Sequence, residues 1–97
     1  MYLSAYRFTG DPGTLAAAHD ALLATFPPES LHVCVQTEDG ILVLDTCPSR
    51  AVFESFNRSV EFRSALAAAG LPEPAVEPLG EVRSMAPEFA IARPGSR

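Results

Sequence analysis

Residues 31–47 read LHVCVQTEDGILVLDTC, and this stretch decides how the chain folds. Leu31 to Thr37 alternates apolar and polar residues, the period-two pattern of a strand with one covered face, and Ile41 to Thr46 reads as a second strand. Glu38-Asp39-Gly40 lies between them, and Asp-Gly at such a junction is a strong short-range hairpin signal. A two-residue turn at Asp39-Gly40 sets Glu38 against Ile41, Gln36 against Val43, Cys34 against Asp45 and His32 against Cys47. One sheet face then carries Leu31, Val33, Val35, Leu42 and Leu44. The other carries His32, Cys34, Gln36, Val43, Asp45 and Cys47. A one-residue slip would mix the two sets, so the register is self-consistent.

Outward from the hairpin, Tyr2 to Thr9 reads as a strand broken by Gly10-Asp11-Pro12-Gly13. Asp11 caps the following helix and Pro12 fits its first turn. That helix is expected from about Gly13 to Phe26, because Leu15, Ala18, Leu22 and Phe26 follow helical spacing, and Pro27-Pro28 stops it. On the other side Ser49 opens one long helix to about Ala69, closed by Gly70-Leu71-Pro72. A last strand spans Val76 to Met85, edge or bulged because of Pro78 and Gly80. The order β-α-β-β-α-β predicts an α+β, ferredoxin-like domain over residues 1–85, with a four-stranded antiparallel sheet and both helices on one face. Residues 86–97 are expected to form a tail, mobile or ordered by a partner.

Composition narrows the function classes. Ninety-seven residues make one domain, and 12 acidic residues against 7 basic ones, all arginine, leave a net charge of −5. That balance argues against nucleic acid and anionic membrane as partners. No run of eighteen apolar residues occurs and the N-terminus has no signal-peptide pattern, so a cytoplasmic location without membrane insertion is expected. Cys34 and Cys47 are too few for a disulfide scaffold and form no CxxC motif. A chain this short buries only about 60–65% of its unfolded surface, and pairing with a second copy would enlarge the core and help to shape a pocket.

The hairpin strand Asp39-Gly40-Ile41-Leu42-Val43-Leu44-Asp45, the helix beginning SRAVFESF and the closing Gly70-Leu71-Pro72-Glu73-Pro74 give the chain a resemblance to the dimeric α/β barrel superfamily, which includes the antibiotic-biosynthesis monooxygenase-like proteins. The likeness covers roughly residues 1–85. It implies a homodimer whose two sheets pack into a barrel, and a small, largely apolar organic ligand in a cleft between sheet and helices. The chain has no tryptophan, so the Asn–Trp–His arrangement of haem-degrading relatives does not carry over.

Two groups of residues are candidates for chemistry. On the polar hairpin face His32 and Asp45 make a general acid/base pair, with Cys34 as a nucleophile or metal ligand. The same face otherwise simply lines the dimer barrel, with Asp45 paired to an arginine. On the helices His19 falls within the Leu15–Leu22 stripe, while Arg63 lies in a stripe formed by Val52, Phe56, Val60 and Ala67, with Asn57 at its edge. In a cleft beneath the helices, His19 would act as a base and Arg63 would grip a carboxylate or enolate oxygen, with Tyr6 as a further ligand contact. Gly-rich phosphate loops, G-x-S-x-G and H-E-x-x-H are absent, and no cofactor or metal is expected. The expected function is a cofactor-independent enzyme of monooxygenase, isomerase or cyclase type, which abstracts a proton from an apolar or aromatic compound. The alternative is a non-catalytic ligand-binding or accessory protein.

Overall fold

A computed structural model describes residues 1–28 and 30–86. The tail expected over 86–97 lies, from residue 87 onward, outside the described residues. The elements are β1 (Tyr2–Thr9), α1 (Pro12–Thr25), β2 (His32–Thr37), β3 (Gly40–Cys47), α2 (Arg50–Asn57), α3 (Val60–Ala69) and β4 (Ala75–Glu81). The result is an α+β fold with an open four-stranded antiparallel sheet, ordered β2-β3-β1-β4, and three helices. The element order β-α-β-β-α-α-β corrects the two-helix expectation. None of the helices among the described residues is long and apolar enough to cross a membrane.

The extra helix comes from Ser59. Its hydroxyl donates to the Phe56 carbonyl at 2.8 Å and accepts from the Phe62 N–H at 3.1 Å, closing α2 and capping α3 with one side chain. The break resets the helical phase. Phe53 on α2 and Phe62 and Leu66 on α3 face the core, whereas Val52 and Val60 of the expected stripe are exposed.

The hairpin turns at Glu38-Asp39, one residue earlier than expected. Thr37 pairs with Gly40, Cys34 with Val43 and His32 with Asp45. Gly40 serves a close approach, because a Cβ there would overlap the Phe8 carbonyl oxygen on β1. Asp39 holds the turn by accepting from the Thr37 hydroxyl at 3.1 Å and from Gly10 N–H at 2.9 Å. Every β2–β3 pairing therefore moves by two positions. An even shift leaves each side chain on its expected face.

The face carrying Tyr2, Tyr6, Phe8, Ile41, Val43 and Cys47 packs on Leu15 and Leu22 of α1, Phe53 of α2, and Phe62 and Leu66 of α3. This is the His32/Asp45 face. It lies under the helices, and among the described residues Asp45 is paired with His32 and not with an arginine. The opposite face bears Leu3, Leu42 and Leu44, half-buried, and Val33 and Val35, exposed. Among the described residues no helix covers it. β4 runs along the other edge, and its register against β1 shifts between Leu3 and Ser4, as Pro78 and Gly80 led one to expect.

Candidate functional site

α1 begins where Asp11 Oδ2 accepts from the Thr14 N–H at 2.9 Å, with Pro12 in the first turn. That start turns Leu15, His19 and Leu22 toward the sheet, and His19 is only 4% exposed. On the facing hairpin His32 and Asp45 sit directly opposite one another. His32 Nδ1 is 3.0 Å from Asp45 Oδ1, and His32 Nε2 is 2.8 Å from His19 Nε2. The two imidazole planes are 16° apart. The two candidate groups thus meet as one chain, Asp45–His32–His19.

With both rings neutral, one tautomer pair satisfies the Asp45 end of the chain. An ionised carboxylate only accepts, so His32 Nδ1–H donates to Asp45. His32 Nε2 is then an acceptor and takes the hydrogen of His19 Nε2. In that tautomer the imidazole nitrogen outside the chain is His19 Nδ1, which lies 3.8 Å from Oδ1 of the exposed Asp20. Burial, reinforced by the neighbouring His32, holds the His19 pKa below its ordinary value, and Asp20 only partly opposes this. A neutral histidine that can accept a proton, oriented by a second histidine and a carboxylate, is the arrangement general-base chemistry requires.

Tyr6 adds a donor. Its hydroxyl is buried and makes no hydrogen bond within 3.5 Å among the described residues, with the Ser4 hydroxyl as the polar side chain beside it. Burial foremost, with the Asp45 charge adding to it, pushes the phenol up to about 12, so it stays protonated. Ser4 offsets this only in part, and its own hydroxyl points to the Asp45 carbonyl oxygen at 3.5 Å.

Tyr6, His19, His32 and Asp45 all line one cavity of about 560 Å³ between sheet and helices. Apart from Ser30 and Thr46 its walls are otherwise apolar, with Phe8, Phe26, Phe56 and Phe62 prominent. Phe56 bridges the aromatic wall, with ring centroids 6.0 Å from Phe26 and 4.4 Å from Phe62. The volume falls within the roughly 300–1,000 Å³ of small-molecule sites.

Two expected site residues stand apart. Arg63 points to solvent, half-exposed, and lies 3.7 Å from Glu73, because the Ser59 break rotates it off the buried stripe. Asn57 ends α2 and does not line the cavity. Cys34 is exposed at the sheet edge, and desolvation with the Asp20 charge pushes its thiol up, away from the thiolate a nucleophile needs. Among the described residues no group of three or more His, Cys, Asp or Glu side chains is placed to hold a metal ion. The aromatic wall was not foreseen as part of a site. Its signal was the position of Phe8, Phe26 and Phe56 on the same inward faces as His19 and His32. Comparison with family models, curated proteins and solved structures returned no match.

Proposed function

We propose that this chain works as a homodimer that takes an apolar or aromatic organic compound into the helix–sheet cavity and removes a proton from it without a cofactor. The observation that carries the reading is that the Asp45–His32–His19 chain and Tyr6 line one largely apolar cavity. His19 accepts the proton, His32 and Asp45 stabilise the charge that forms, and Tyr6 donates to the oxygen where negative charge develops. The resulting carbanion or phenolate is the common starting point for oxygenation, isomerisation or cyclisation. The open four-stranded antiparallel sheet, with an apolar face that no described helix covers, supports pairing of two sheets, in keeping with the resemblance to the dimeric α/β barrel superfamily.

The test uses 2-tetralone, a bicyclic ketone with acidic C–H groups beside its carbonyl, with deuterium exchange followed by NMR. A positioned general base contributes roughly 10²–10⁴-fold. The wild-type protein should exchange these protons well above the buffer rate, and His19→Gln should fall to that rate. Equal rates in both proteins would remove the base, and tight binding without exchange would favour the ligand-binding alternative.

A further inference from the structure

The charges around the cavity carry the reading one step further. Five arginines lie among the described residues, and none lines the cavity. Arg50 binds Glu54 at 3.0 Å, Arg63 faces Glu73, and Arg7, Arg58 and Arg83 are exposed. Met1 borders the cavity, but its amino group is held by Glu81 at 2.6 Å. Asp45 is the one carboxylate in the wall among the described residues, and the His32 it faces is already committed to it. While His19 is neutral, a bound anion would therefore lose its water without gaining a cation among the described residues, and would lie near the Asp45 carboxylate. The Tyr6 hydroxyl, in contrast, is a buried donor with no acceptor among the described residues, and a carbonyl or phenol oxygen that reached it would supply one.

Resting on the reading of this cavity as the ligand site, we infer that it selects by charge: it takes an uncharged aromatic compound bearing one oxygen acceptor for Tyr6, and rejects carboxylates and phosphates of the same shape. Tyr6 is the group that distinguishes such a ligand from a bare hydrocarbon. The lack of a cationic side chain in the wall among the described residues is what distinguishes it from an anion.

Three probes that share one ring system separate these statements: 2-acetylnaphthalene, 2-naphthoate and naphthalene. Their affinities are measured by calorimetric titration at mildly alkaline pH, where the depressed His19 is neutral. The ketone should bind at least about tenfold more tightly than the carboxylate, which differs from it mainly by charge. In Tyr6→Phe the ketone should lose about three- to tenfold and approach naphthalene, whose own affinity should hold. Naphthoate binding as tightly as the ketone would overturn the charge selection, and so would equal affinity for all three probes. Ketone affinity unchanged in Tyr6→Phe would overturn the role of the hydroxyl. If none of the three binds, the cavity is not the ligand site and the proposed function falls with the inference. The ketone–carboxylate comparison in the wild-type protein stands whether or not the variant folds.

Discussion

Tyr6→Phe should make this protein more stable. A buried tyrosine normally donates to a partner, and removing the hydroxyl then costs about 1 kcal/mol. Here the hydroxyl is buried with no partner among the described residues. An unsatisfied buried polar group costs the folded state roughly 1–3 kcal/mol, and phenylalanine removes that cost. The packing survives the change, because the ring contacts with Phe53 at 6.5 Å and Phe62 at 5.8 Å involve the ring and not the hydroxyl. The net expectation is a gain of about 1 kcal/mol, equivalent to a melting temperature higher by roughly 4–8 °C for a domain of this size. Urea unfolding followed by circular dichroism reads it as a later midpoint at unchanged slope. The same variant should exchange 2-tetralone protons about 10²–10³-fold more slowly, as expected when a donor to a developing oxyanion is lost. A variant less stable than wild type by 1 kcal/mol or so would show that the hydroxyl is hydrogen-bonded in the folded protein, and the case for a ligand partner would lose its basis.

Other expectations follow from the same geometry. The folded protein holds His19 below its ordinary value of 6.5, so the unfolded chain binds the extra proton first. Stability should therefore fall as the pH drops below about 6.5 and level off once folded His19 also titrates, and His19→Gln should flatten that slope in urea midpoints. Ser59→Ala removes the cap of α3 and the link to Phe56, and should cost about 1 kcal/mol in urea unfolding, whereas Ser59→Asp should recover most of the cap. Val35→Glu places a charge on the uncovered sheet face and should convert a dimer into a folded monomer by sedimentation. A wild-type protein that sediments as a monomer at micromolar concentration would refute the sheet pairing.

How much of this was legible in sequence depended on the range of the contacts involved. The two faces of the hairpin were readable from alternation alone, and they survived a misplaced turn because the register moved by an even number of residues. The turn itself was misread because Asp-Gly is a local signal, while Gly40 answers to a distant constraint, the Phe8 carbonyl on β1. Arg63 was misplaced for a related reason. Its buried position assumed one continuous helix, and a single serine resets the helical phase four residues before it. His19 was readable as an inward residue from its spacing with Leu15 and Leu22. Its meeting with His32 was not, since it depends on how α1 lies across β2. The aromatic wall likewise draws on β1, α1, α2 and α3, and no single stretch of sequence displays it.

Asp45, His32 and His19 should act as one proton-carrying chain at the ligand cavity. Nitrogen-15 NMR of histidine-labelled protein at mildly alkaline pH, with and without 2-acetylnaphthalene, tests it most directly. Without the ketone, His32 should carry its proton on Nδ1 and His19 on Nε2, and the ketone should move the resonances of both rings. The opposite tautomers, or bound ketone that leaves both rings unmoved, would contradict the account.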